Sequence, residues 1–240
     1  MIYFTSAFEW KMLADTLKDI LTDCYFVFSP TSITMNNVDP EKVLEIYYAY
    51  YPDKDHYSCN QTFTFPVYIQ TVYRVLRGVK PADSMEMSDL EDGSLHMKIF
   101  SDAGVLKNEI SLKPLQQEMP TFIRNPRQYD IDIKFNSDQL YHIFHDLSAI
   151  SRQISIVVKD HQIIFQSQDE SGTTSQHAQV FPNIDAEYMF RSKYLVKFLE
   201  KFTKPGLDKF VDVRISRQLP LSVVYYLERG SLELTIAGLE

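Results

Sequence analysis

Two hydrophobic periods alternate along this chain. Residues Ala7 to Leu21 place Phe8, Met12, Leu13, Leu17, Ile20 and Leu21 at helical spacing. Two short apolar runs then flank a Ser-Pro-Thr-Ser turn in CYFVFSPTSITMNNVD, which predicts a hairpin. VLEIYYAYY and YSCNQTFTF read as further strands, rich in tyrosine and phenylalanine. From Pro66, a suitable first helical residue, PVYIQTVYRVLRGVK returns to the helical period through Val67, Ile69, Val72, Tyr73, Val75 and Leu76. SMEMSDLEDGSLHMKIF and AGVLKNEISL resume the strand pattern, with a tight turn at Asp92-Gly93.

The pattern breaks from Leu112 to Arg127. Pro114, Pro120 and Pro126 remove backbone donors and push their neighbours toward extended geometry, so the stretch predicts a connector. Its Met119, Phe122 and Ile123 are costly to leave in water, which points to a docking surface and not a plain tether.

After the connector the order repeats. QYDIDIKF alternates as a strand, Asn136-Ser137-Asp138 opens a helix, and Leu140, Ile143, Phe144 and Leu147 supply its inner face. A hairpin turning at Lys159-Asp160-His161 and the strand QHAQVFPN follow. FRSKYLVKFLEKFTKPG reads as the clearest helix, stopped by Lys204-Pro205-Gly206. FVDVRIS, LPLSVVYYLE and SLELTIAG close the chain as strands, the last two joined at Glu228-Arg229-Gly230. Strand, helix, hairpin, strands, helix, strands is thus written twice, an internal duplication. The fold class it predicts is α+β, with antiparallel sheets and two helices per domain. The expected domains are 1–111 and 128–240, joined by 112–127.

Composition narrows the picture. An apolar content of 45% supports a buried core, and 23% charged residues fit a folded, water-soluble chain. Cys24 and Cys59 are too few for a disulfide framework and sit in strand-like contexts, so a reducing, intracellular setting is expected. No secretory leader and no membrane-length apolar run is evident.

The net charge of −8 argues against a nucleic-acid partner, but the charge is segregated. The first helix carries Lys11 and Lys18, the second Arg74, Arg77 and Lys80, the third His142 and His145, and the last Lys193, Lys197 and Lys201. A solvated face accounts for any one such helix. Taken together, the stripes point to a surface that meets phosphates without reading sequence.

Enzymatic readings find little purchase. His142 and His145 with Asp146 have metal-compatible spacing, but the same positions fit the basic stripe. There is no P-loop, GxGxxG or GxSxG motif, and no nucleophile stands beside a base, so neither catalysis nor a cofactor is expected.

FHDLSAISRQISIVVKDHQIIFQSQDESG resembles the opening of the second domain of the proliferating cell nuclear antigen family of sliding clamps. FRSKYLVKFLEKFTK and LPLSVVYYLERGSLELTIAG are similar to that family's final helix and closing strands. LADTLKDIL and SPTSITMNNVDPEKV agree more loosely with its first domain.

The resemblance implies two clamp-type domains in a ring, usually a homotrimer, with helices around duplex DNA and sheets outside. It implies a processivity factor and docking platform, with duplex DNA, a DNA polymerase, other replication proteins and a clamp loader as partners. The setting would be the nucleus or, for a viral member, the site of viral DNA replication. The ten basic and histidine positions named above would face DNA. The third helix departs from the family, with His142 and His145 where arginines are usual. The implied partner groove comprises Val38, Asp39, Lys42, Val43, Met119, Phe122, Ile123, Pro220, Leu232, Thr235, Ile236 and Ala237. Lys42 replaces a usual histidine, Thr235 a tyrosine and Gly238 a proline. Subunits would meet edge to edge through Leu106, Ile110 and Leu112 against Gln176, Ala178 and Val180. Two alternatives stay open: a clamp-like accessory subunit that does not homotrimerise, and an enzyme acting on nucleic acid.

Overall fold

The computed structural model describes residues 2–4, 6–39, 42–116, 124, 127–204 and 206–239. The first half runs β1 (Ile2–Phe4), α1 (Ala7–Leu17), β2 (Asp23–Phe28), β3 (Ile33–Val38), β4 (Leu44–Tyr50), β5 (Phe63–Tyr68), α2 (Ile69–Leu76), β6 (Ser84–Asp89), β7 (Leu95–Phe100) and β8 (Leu106–Leu112). The second runs β9 (Ile131–Asn136), α3 (Ser137–Ser148), β10 (Gln153–Lys159), β11 (Gln162–Gln168), β12 (Thr174–Val180), β13 (Phe190–Leu195), α4 (Val196–Phe202), β14 (Phe210–Ile215), β15 (Leu221–Leu227) and β16 (Gly230–Ile236).

Element for element, the halves are the same. Strand pairing repeats as well: β1-β6-β7-β8 and β5-β2-β3-β4 in the first half correspond to β9-β14-β15-β16 and β13-β10-β11-β12 in the second. The ladders are antiparallel, as the short turns between neighbouring strands require. This is a duplicated α+β fold.

The chain forms two compact units. One gathers Met1–Asp39, Ile46–Arg124 and Tyr226–Leu232; the other gathers Pro40–Glu45, Asn125–Tyr225 and Glu233–Glu240.

In the first unit α1 packs beside α2. Trp10 of α1 meets Phe26 and Tyr48 with ring centroids 5.4 and 6.1 Å apart. In the second unit α3 packs beside α4, and Phe144 meets Phe165 edge-on at 5.6 Å. Each helix therefore buries one stripe and leaves the other in solvent.

Turn chemistry follows the sequence. Gly93 takes a φ of +78°, and Asp160 and His161 both adopt left-handed backbone, at 50° and 61°, in the two-residue turn between β10 and β11. Asn136 caps α3 by accepting from the Gln139 backbone N–H at 3.1 Å.

Three helix limits differ from the sequence reading. α1 ends at Leu17, and residues to Leu21 close as a turn through the Ile20 and Leu21 N–H groups on the Leu17 carbonyl. Pro66 lies inside β5 opposite Tyr25 and not at a helix start. β5 is an outer strand of its sheet, where a missing N–H is tolerated. The segment from Arg191 divides into β13 and a short α4. β13 pairs with β10 from Phe190 opposite Val158 to Leu195 opposite Gln153, and its burial alternates with period two.

Candidate nucleic-acid interface

The expected cationic positions separate by how they are held. On α2, Ile69, Val72 and Leu76 turn inward, so Arg74 and the C-cap Arg77 stand in solvent three residues apart. Among the described residues neither guanidinium has a side-chain hydrogen bond or ion pair. Lys80 is also exposed, just beyond the helix. On α4, Val196, Leu199 and Phe202 are buried, which leaves Lys197 and Lys201 exposed four residues apart.

α1 differs. The Lys11 ammonium donates to the Val79 carbonyl at 2.8 Å and lies 5.4 Å from the Phe8 ring. Lys18 pairs with Asp15, approaches Asp19 at 3.5 Å and sits 4.3 Å from the Tyr73 ring centroid. Burial disfavours its charge, yet the Asp15 and Asp19 carboxylates outweigh that and raise its pKa above the ordinary lysine value. Both lysines are half-buried and already engaged, so less of their charge is open to a phosphate.

On α3, His142 and His145 are exposed, with Asp138 and Asp146 on the same solvent side. His145 Nδ1 lies 2.8 Å from Glu200 Oε1 and its ring stacks on Tyr141. Among the described residues no three His, Cys, Asp or Glu side chains gather as metal ligands.

Lys193 is a correction. It projects from β13, where Lys193, Ser155, Gln166 and Gln176 lie directly opposite one another in a row across four strands. Phe165, which meets Phe144 of α3, has the opposite parity in this sheet. Lys193 thus lies on the sheet face turned away from α3 and does not continue the Lys197–Lys201 stripe.

Groove positions divide between the units and are taken unit by unit. In the first unit Val38 ends β3 half-buried, Asp39 is buried, and Leu232 is fully enclosed. In the second, Lys42 is exposed with a φ of 57°, and the Val43 carbonyl accepts from the Ala237 N–H at 2.9 Å. Pro220 and Ala237 share a cleft of about 550 Å³ with Met189 and Arg217. Ile236 is completely enclosed, and the buried Thr235 accepts at its hydroxyl oxygen from Arg127 Nη1 at 3.0 Å. Leu232, Thr235 and Ile236 thus present no exposed face, because β16 is buried from Leu232 to Ile236. Met119, Phe122 and Ile123 lie outside the described residues.

The two expected edge strands are outermost in their sheets, β8 beside β7 and β12 beside β11. Leu106 is 46% exposed and Val180 64%; Gln176 and Ala178 also face solvent, Ile110 is half-buried, and Leu112 is buried opposite Leu95. Each strand leaves one row of backbone donors and acceptors without a neighbour in its own sheet.

The family model described as proliferating cell nuclear antigen, N-terminal domain, matches residues 2–118, and the C-terminal domain model matches residues 124–238. The chain belongs to the proliferating cell nuclear antigen family. A probable DNA polymerase sliding clamp 1 of Paramecium bursaria Chlorella virus 1 is 25% identical over 95% of this chain and 92% of its own length. The DNA polymerase sliding clamp of Thermofilum pendens is 20% identical over 95% and 93%. The proliferating cell nuclear antigen of Chaetomium thermophilum is 23% identical over 92% and 90%.

Within this proliferating cell nuclear antigen relative, two arginines escaped the sequence reading. Arg124 lies over the Tyr47 ring at 3.9 Å, and Arg127 bonds both Thr235 and Glu45. Their signal was available: both arginines stand within the proline-rich connector, in an otherwise acidic chain.

Proposed function

We propose that the chain is the subunit of a DNA sliding clamp, a polymerase processivity factor and docking platform that performs no chemistry of its own. The reading is carried by one observation: both domains of a single clamp family match, in order, across nearly the whole chain.

The geometry supports it in three ways. Each unit sets two helices side by side, and the exposed cations Arg74, Arg77, Lys80, Lys197 and Lys201 stand on their solvent faces or just past their ends. Such contacts hold phosphates in a way that does not depend on sequence and permits sliding. Unpaired β8 and β12 edges suit closure by strand pairing between copies, in the homotrimer usual for the family. The cleft at Pro220 and Ala237, with Lys42 and Val43 close by, offers a seat for a polymerase-borne peptide. Tethering there raises the polymerase's effective concentration at the template. The site of action is the nucleus or a viral replication site.

Retention on DNA tests the proposal. Loaded on a nicked circular plasmid, the protein stays bound through a high-salt gel-filtration column and is lost when the plasmid is linearised. Equal loss from circular and linear DNA contradicts a topological clamp.

A further inference from the structure

The outward face of the β12-β11-β10-β13 sheet holds a polar pocket of about 370 Å³ that DNA encirclement and partner docking leave without a role. At one end stand Arg191 and Lys193, two residues apart on β13, both exposed and on the same face. Alternate residues of a strand are roughly 7 Å apart, so their heads reach one small anion together. Among the described residues neither cation has a side-chain hydrogen bond or ion pair. From Lys193 the row continues through the Ser155 hydroxyl and the Gln166 and Gln176 amides, across four strands. The carboxylate in the pocket lining, Asp169, is occupied by its own turn, accepting from Ser171 Oγ at 2.8 Å and the Thr173 N–H at 2.7 Å.

We propose that this pocket binds a phosphorylated segment of a partner protein, with the phosphate held between Arg191 and Lys193 and the peptide laid across Ser155, Gln166 and Gln176. A phosphomonoester matches the two cations in charge, and an arginine fork plus a lysine point charge satisfies its oxygens. Side-chain amides and a hydroxyl supply both donors and acceptors, which a peptide backbone needs on either side of the phosphate. A nucleic-acid strand fits less well. Among the described residues none of the pocket's lining is aromatic, so bases find no stacking platform. Strand pairing at the β12 edge extends the sheet in its own plane and leaves this face open.

Fluorescence polarisation tests the proposal with a labelled Gly-Gly-phosphoserine-Gly-Gly peptide, its unphosphorylated twin and a labelled five-nucleotide thymidine oligomer. The phosphopeptide binds at least about tenfold tighter than its twin. That preference disappears in R191Q/K193Q, whose unchanged thermal midpoint shows that the fold is intact. Equal binding of phosphorylated and unphosphorylated peptide by the natural protein overturns the proposal. So does a preference that survives R191Q/K193Q, or tighter binding of the thymidine oligomer that depends on the same two residues.

Discussion

Arg127 reaches Thr235 with one arm of its guanidinium, Nη1 to Oγ1 at 3.0 Å, and Glu45 with the other. The residue that closes the connector is thereby fixed to the last strand and to the start of β4. Both Arg127 and Glu45 are largely shielded from solvent. Arg127→Ala is expected to lower stability by roughly 1–2 kcal/mol. A urea-unfolding cycle with Glu45→Ala and the double variant isolates the pair: the double variant is less destabilised than the sum of the singles. Strict additivity contradicts the coupling.

Gly230 begins β16 where no side chain fits. A Cβ there would stand 1.9 Å from the Ala49 carbonyl oxygen, a backbone atom that cannot swing aside. Gly230→Ala is expected to cost about 1–3 kcal/mol or more. Gly78 is the control, because a Cβ there meets nothing within 4 Å. Gly78→Ala raises stability by about 0.4–1 kcal/mol through the unfolded chain. Thermal melts of both variants measure the contrast.

Asp130 gives the protein an acid-sensitive joint. Its carboxylate accepts from the Arg217 backbone N–H at 3.2 Å, the Tyr188 hydroxyl at 2.9 Å and the Ser216 hydroxyl at 3.0 Å. These bonds hold its pKa below the usual aspartate value, the Arg217 N–H foremost. A depressed carboxylate adds stability above its unfolded pKa of about 3.9, and that stability is lost as pH falls through the folded value. Asp130→Asn is therefore less stable than the natural protein at pH 7, and the two converge below about pH 4. Melting temperatures across that range check it; a constant offset at every pH rejects it.

Removing an exposed cation should alter the salt dependence of DNA binding. Arg74→Gln and Arg77→Gln are each expected to flatten the slope of log K against log salt by about 0.9. Lys18→Gln changes it less, since Asp15 and Asp19 already hold that ammonium. Titrations at several salt concentrations measure the slopes, and equal effects at all three positions would refute the division into open and engaged cations.

Element order was legible in the sequence because hairpin turns such as Asp92-Gly93 and Asp160-His161 punctuate it, and the duplication repeats that punctuation. The starts of α2 and α4 were not, unlike that of α3 with its Asn136 cap. Phe190 and Tyr194 satisfy a helical period as well as an alternating one, and only pairing with β10 makes the segment a strand. On sequence alone Lys193 therefore joins the basic stripe. Lys11 carries the right residue type and spacing, but its engagement depends on Val79, distant in sequence, whereas the Asp15 and Asp19 that hold Lys18 are its neighbours in sequence. Enclosure of Leu232 and Ile236 is likewise a property of tertiary packing that no local pattern records.

Molar mass in solution, measured by light scattering across a wide concentration range, tests the clamp most directly. A closed ring predicts three times the mass of the 240-residue chain, falling to the single-chain mass when proline is placed at Ala178 in the β12 edge. A single-chain mass at every concentration contradicts the ring.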